Sequence, residues 1–477
     1  MIKRDNLEFI QQNRRTYSDS YESMNWLTPE IAGKASNLRE DLINAIFEHH
    51  CTGPGWQFSG TKLYTHEISP GCDLCGKGGW SCLFINGICN TQCFYCPSAQ
   101  KEKGEPMTSS VEFSSPHDYA NYVNAFNIKG VSFSGGEPFM TFERVLMFLK
   151  TLRSKVIHPL YTWMYTNGIL VTEDKLKNLR DNGLDEIRFD ISANHYKLGA
   201  LKKALGIVPK ITVEIPAIPE DLEKTKAVIK ELCELGVNYL NLHQLRCTQF
   251  NKTAFIKRGY TFLHGPGVTI LETELTALEL IRYSLDEKIA LPINYCSFTY
   301  RNQFQGSGAK KRTAFVIKSA HEDITSTGHI RSMSLCGEEK QIHSIHNHLV
   351  SKQVDTSLYM LSKDGSQFFF NANLWPHIEF FQVRLKVSYS TTSLKSSVSY
   401  RHAFKEVALG KKKKVVIERH LNQPEFWFEG EQIHEFGREF ILPESAFPIN
   451  MAGSLPLDLL NDIKKYEAYN CGLAEYY

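Results

Sequence analysis

The sequence predicts an α/β protein whose centre is a partial (β/α)6 barrel, and three observations carry that reading. First, short apolar runs alternate with amphipathic stretches from residue 83 to about residue 300. Second, those runs are apolar on both faces, as in parallel strands covered by helices rather than half-exposed antiparallel ones. Third, the chain changes style on either side of this stretch, which at 477 residues leaves room for more than one domain. The expected divisions are an N-terminal helical segment with a cysteine loop over 1–82, the barrel over 83–305, and a C-terminal mainly β domain over 306–477.

In chain order, residues 1–50 are polar and periodic, with a helix expected after Thr28-Pro29. Residues 51–82 are rich in Gly and Pro and read as a loop-dominated segment. The six candidate strands are 82–87, 130–136, 160–168, 186–192, 211–219 and 238–246. Helical patterns at 116–128, 141–155, 172–183, 196–206 and 220–236 separate them, with Gly183 and Gly236 placed to end two helices. Right-handed crossovers between such units build an open barrel, with functional groups at the C-terminal ends of the strands. Beyond residue 305, Phe381, Val383, Leu385, Val387 and Tyr389 alternate with polar residues, the pattern of a half-buried antiparallel strand. Residues 367–374, 413–421 and 426–436 add further strand signals.

Composition narrows the function. The net charge of +2 offers no basic field for nucleic acid, and no partner of that kind is expected. There is no 18-residue apolar stretch and no secretory pattern at the N-terminus, so a cytoplasmic protein with no membrane association is expected. Of twelve cysteines, six fall between Cys72 and Cys96, a clustering that in a reducing compartment points to metal rather than disulfides. Cys233, on a periodic helical stretch, reads instead as a small buried hydrophobe.

Cys89, Cys93 and Cys96 follow the first strand with C-x3-C-x2-C spacing. Three thiolates suit three irons of a cubane and leave the fourth iron open, whereas a structural zinc site wants four protein ligands. Ser134-Gly135-Gly136-Glu137-Pro138 ends the second strand, Thr166-Asn167-Gly168 the third, and Asp190, Ser192 and Asn194 the fourth.

This ordered set resembles the radical S-adenosylmethionine (SAM) superfamily over roughly residues 83–300. It is similar in particular to uncharacterised relatives of pyruvate formate-lyase activating enzyme. The resemblance implies an oxidoreductase-type radical enzyme with a [4Fe-4S] cluster on Cys89, Cys93 and Cys96. The reduced cluster would cleave SAM to a 5′-deoxyadenosyl radical that abstracts a substrate hydrogen. It implies that Ser134, Gly135, Gly136, Glu137 and Pro138 receive the SAM amine, and that Asn167, Ser192 and Asn194 bind its ribose and carboxylate. Tyr95, through its backbone, and Ile218 would meet the adenine, although the fifth strand departs from the usual pattern there. An electron donor such as flavodoxin or ferredoxin is implied as well.

Upstream, Cys72, Cys75 and Cys82 form a C-x2-C-x6-C loop that resembles an auxiliary cluster or zinc site. A second [4Fe-4S] cluster is the first reading and zinc the alternative. Cys296 is the favoured fourth ligand, ahead of Cys51, Cys247 and His66. His243 and Arg246, ending the sixth strand, are candidate catalytic groups facing substrate. The His343, His346, His348 cluster and the Lys411–Lys414 run read as solvated surface. The favoured substrate is a peptide or protein residue. A small metabolite or nucleoside is the alternative, and a non-catalytic iron–sulfur protein a third reading.

Overall fold

The computed structural model describes residues 4–48, 53–442 and 455–476. It divides into two compact units, residues 1–305 with 471–477, and residues 306–470.

In the first unit, seven consecutive parallel strands build the barrel wall. They are β1 (Trp80–Asn86), β2 (Gly130–Gly135), β3 (Tyr161–Thr166), β4 (Glu186–Phe189), β5 (Lys210–Pro216), β6 (Tyr239–His243) and β7 (Ile293–Cys296). The sequence predicts six. β7 escapes detection because it is four residues long and half polar, with Asn294 and Cys296 facing neighbours across the sheet. An antiparallel hairpin, Gly55–Gln57 with Lys62–Tyr64, flanks β7, and a second, Met107–Thr108 with Val111–Glu112, flanks β1. The eleven-stranded sheet therefore ends in a hairpin on each side instead of closing on itself.

Local signals set the crossover helices. The side chains of Ser115 and Thr172 cap Pro116–Ala125 and Glu173–Asp181 by accepting from the amides of Asp118 and Lys175. Gly183 has φ +87° and lets Leu184 N–H bond the Leu179 carbonyl at 2.9 Å, closing the helix as its glycine predicts. The segment 51–82 is more regular than its composition suggests. It contains the hairpin beside β7 and a short helix, Pro70–Gly76, started by Ser69, whose hydroxyl accepts from Cys72 N–H. Cys233 lies on the helix Leu222–Glu234 but is only half buried.

The second unit carries the antiparallel sheet that the sequence predicts, accompanied by helices Gly306–Ile317, Glu339–Ser351, Glu431–Phe440 and Leu457–Glu467. Leu385, Val387 and Tyr389 are wholly buried on the strand Arg384–Lys395 as the alternation predicts. Phe381 is not, at 73% exposure, because Gln382 takes a positive φ and the strand starts only at Arg384. The three clustered histidines lie on the helix Glu339–Ser351. No helix among the described residues is long and apolar enough to cross a membrane.

The core of this unit contains a buried charge pair. Arg331 donates to both oxygens of Glu467, at 2.9 and 3.0 Å, and Tyr389 donates to the same carboxylate at 2.6 Å. Removing the acid leaves the buried guanidinium only Asp323, 3.7 Å away, so Glu467→Ala should cost about 3 kcal/mol. Hydrogen exchange should then show protection lost across 306–470 and kept in β1–β7; equal loss in both units would contradict this.

Candidate active site

β1 runs into the loop carrying Cys89, Cys93 and Cys96, and the end of β2 positions that loop. The amides of Gly136 and Glu137 donate to the carbonyls of Asn86 and Ile88 at 2.9 and 2.7 Å. The Asn86 side chain returns two bonds, to the Glu137 carbonyl at 3.0 Å and Thr141 Oγ1 at 2.7 Å, and its Oδ1 receives Ile88 N–H at 3.1 Å. A Cβ on Gly135 would overlap the Asn86 carbonyl oxygen, and one on Gly136 that of Ile88. The glycine pair is thus required by the approach of the cysteine loop itself.

Glu137 also joins two strand ends. It is 1% exposed, and its carboxylate already accepts from Phe139 N–H at 3.1 Å, Thr166 Oγ1 at 2.9 Å and Asn167 N–H at 2.8 Å. Burial pushes its pKa up, against the pull of these three donors. Its side chain therefore ties the ends of β2 and β3 together. Pro138 is buried and opens the turn Pro138–Thr141. Asn167 reaches the loop, donating to Asn90 Oδ1 at 2.7 Å with Cys89 Sγ at 3.8 Å.

Tyr95 is held through both its backbone and its side chain. Its carbonyl accepts from Asn251 Nδ2 at 3.0 Å. Its hydroxyl lies 2.9 Å from Asp190 Oδ2 and 2.6 Å from Ser192 Oγ, and Ser192 in turn donates to Asp190 Oδ1 at 2.6 Å. These three side chains bind the last turn of the cysteine loop to the end of β4. Burial raises the Asp190 pKa in spite of these bonds. Asn194 closes the turn Ser192–Asn194 at the same end, and Ile218 is buried just past β5.

The cysteines fit a cluster by chemistry. Three thiols occupy one loop at the C-terminal ends of parallel strands, and polar groups attend the sulfurs. Gln100 Nε2 donates to Cys96 Sγ at 2.8 Å, and Thr91 Oγ1 lies 3.2 Å from Cys89 Sγ and 3.6 Å from Cys93 Sγ. Among the described residues no three Cys, His, Asp or Glu donors converge on a point at metal-binding distance.

Below this loop the barrel interior is polar. Arg188 donates to Glu186 and Glu214, both at 2.7 Å, and to Ser69 Oγ at 2.9 Å, with its guanidinium stacked 5.0 Å from the Trp163 ring centroid. Burial works to raise Glu214, but Arg188, His243 and Asn241 together outweigh it and hold the pKa below the usual range. His243 sits 3.4 Å from Glu214, and burial pushes its pKa down to about 4, so it is neutral at physiological pH. Arg246 is exposed, and partial burial and the nearby Arg301 charge both lower its pKa.

The upstream cysteines separate into two places. Cys72 and Cys75 lie on the helix Pro70–Gly76 and interact electrostatically with Cys296 at the end of β7. Cys82 points from β1 toward Ser132 and Ser134, so it does not join that group. Cys247 packs in another cluster with Tyr17 and Phe255, His66 bonds the Ile289 carbonyl at 3.3 Å, and Cys51 lies outside the described residues. Asn86, Gln100, Asn251 and Lys62 went unread in the sequence. Only Asn86, a polar residue ending an apolar strand just before the cysteines, carried a usable signal.

Two substitutions test the loop's anchoring. Gly136→Ala and Tyr95→Phe should each speed the loss of iron to a chelator about 10-fold after anaerobic reconstitution, the usual order for lost support of metal ligands. Unchanged iron retention in both would show that the loop holds itself.

Comparison with known proteins agrees with this site. Residues 83–245 match the family model described as the Radical SAM superfamily. A protein of Methanocaldococcus jannaschii, described provisionally as a glycyl-radical enzyme activating enzyme, is 29% identical over 274 residues, 55% of this chain and 72% of that protein. One of Haemophilus influenzae with the same description is 30% identical over 163 residues, 33% of this chain and 57% of that protein. The crystal structure of Streptococcus suis SuiB bound to S-adenosylmethionine aligns at TM-score 0.33 and 14% identity, over 68% of this chain and 70% of that one. The cysteine loop docked on Ser134–Pro138 lies within the segment that matches the radical SAM model, and this chain is an enzyme that carries a radical SAM domain over residues 83–245.

Proposed function

We propose that this enzyme abstracts a hydrogen atom from a residue of a protein or peptide, with glycine the favoured target. The observation that carries the reading is the 274-residue similarity to a protein described provisionally as an activating enzyme for glycyl-radical enzymes. Cys89, Cys93 and Cys96 would hold the [4Fe-4S] cluster, and the main chain of Ser134–Gly136, with Asn167, Asn194 and Ile218, would line the SAM site. Bound there, the cluster and SAM supply one-electron cleavage of the sulfonium C–S bond, releasing methionine and leaving 5′-deoxyadenosine once hydrogen is taken from substrate.

The chain's own residues hold that chemistry in place. Glu137 clamps the ends of β2 and β3, so the Ser134–Gly136 carbonyls keep their direction. Tyr95, Asp190 and Ser192 fix the loop against β4, the neighbour of the strand that leads into Asn167. Neutral His243 and the Glu214–Arg188 pair keep the interior polar and hydrogen-bonded beneath the site. A one-electron donor of the flavodoxin or ferredoxin kind would supply the reducing equivalent.

The test follows deuterium. The reconstituted enzyme is given SAM, dithionite and the cell extract of its source, grown on α-deuterated glycine and separated by size. Deuterium in 5′-deoxyadenosine from the macromolecular fraction supports a protein substrate. Deuterium only from the small-molecule fraction overturns it in favour of a metabolite. The Cys89→Ala, Cys93→Ala, Cys96→Ala triple variant should form no 5′-deoxyadenosine with either fraction.

A further inference from the structure

A second group of thiols lies inside the first unit, away from the cysteine loop. Cys72 and Cys75 are both buried and three apart on the helix Pro70–Gly76, a spacing that places them on one helical face. Cys296 ends β7 and is also buried. In the sheet it sits between two direct cross-strand neighbours, Lys62 on the flanking hairpin and His243 on β6. Residues in register share a face, so Lys62, Cys296 and His243 form one row across three strands.

Both flanking side chains carry unused donors or acceptors. Lys62 is 0% exposed, its ammonium lies 4.4 Å from the Tyr300 ring centroid, and its Nζ has no hydrogen-bond partner. The His243 Nδ1 is buried and unpartnered as well. A fully buried ammonium with three free donors costs several kcal/mol of lost hydration unless an acceptor meets it. The residues in electrostatic reach of Lys62 include Cys296, Cys72 and Cys75, ahead of Glu214. Glu214 itself is already bonded by Arg188 and Asn241.

Hydrogen-bond donors also face the sulfurs. Asn241 Nδ2 lies 3.4 Å and Arg188 Nη1 3.8 Å from Cys72 Sγ, while Gln305 Nε2 lies 2.9 Å from Cys75 Sγ. Tyr300, whose ring covers Lys62, donates to the Cys72 carbonyl at 3.0 Å and so ties the helix to the same place. Amide and guanidinium donors aimed at sulfur suit thiolates that carry negative charge, as in metal–thiolate centres.

We propose that Cys72, Cys75 and Cys296 form a second thiolate centre for a thiophilic metal, with Lys62 as its buried counter-charge and Cys82 outside the ligand set. Metal binding turns the three Cβ–Sγ bonds toward one point and releases the thiol protons. The shared chemistry is thiolate coordination, and an iron–sulfur cluster and zinc are its two sources. The centre is independent of the substrate assignment above, because nothing in it depends on what the radical attacks.

The test removes the first cluster and asks what remains. The full chain with Cys89→Ala, Cys93→Ala and Cys96→Ala is reconstituted anaerobically, either with ferrous iron and sulfide or with zinc, and bound iron, sulfide and zinc are counted per chain. Retained iron with sulfide identifies a cluster, and retained zinc without iron a zinc site; either supports the centre. Adding Cys72→Ser, Cys75→Ser or Cys296→Ser should abolish the retained metal, while adding Cys82→Ala leaves it unchanged. Because a serine variant can fail to fold, thiol alkylation mapped by mass spectrometry is run on the triple-alanine protein with and without metal. Metal should protect Cys72, Cys75 and Cys296 together at least 10-fold and leave Cys82 at its metal-free rate. Two results overturn the proposal: no metal above background with all three thiols equally reactive in both states, or protection of Cys82 in place of Cys296.

Discussion

The approach of one backbone segment to another governs this enzyme's site. The loop after β1 must lie against the end of β2 closely enough for the amides of Gly136 and Glu137 to bond the carbonyls of Asn86 and Ile88. That approach leaves no room for a Cβ at Gly135 or Gly136, and it uses polar main-chain groups that would otherwise be buried without partners. From it follow the direction of the cysteine loop, the place of Asn167 beside Cys89, and the role of Glu137 as a clamp.

The loop is held from two further sides. Tyr95 bonds the Asp190–Ser192 pair at the end of β4, and Asn251 holds the Tyr95 carbonyl. Phe94 packs edge-on against buried Phe255 and adds an apolar anchor to these bonds, since short turns by themselves supply little stability. Beneath it, the interior is an ionic and hydrogen-bonded network around Arg188. Pairing with two carboxylates offsets much of the desolvation cost of that buried guanidinium, and stacking on Trp163 adds a cation–π contact.

Much of this was legible in the sequence for a physical reason. Period-two and period-3.6 apolar patterns record burial directly, so the barrel units and the strand of Leu385, Val387 and Tyr389 could be read. The cysteine spacing and the Ser134–Pro138 segment are local in the chain, and local constraints survive in a single sequence. What a single sequence leaves open is non-local. Cys82 is closer in sequence to Cys75 than Cys296 is, yet strand β1 carries it toward Ser132 while β7 brings Cys296 beside Lys62. The occupied Tyr95 carbonyl depends on Asn251, which lies far along the chain. β7 was hidden because a short strand facing a polar interior loses the apolar signature that marks its neighbours.

The most direct measurement of the account is electron–nuclear double resonance on the reduced, reconstituted enzyme with SAM labelled at its amine by 15N and at its carboxylate by 17O. A three-thiolate cluster in the Cys89–Cys96 loop has one iron without a protein ligand, and so predicts hyperfine coupling of both labels to the cluster. A reduced cluster whose spectrum shows neither coupling, and does not change when SAM is added, would contradict it.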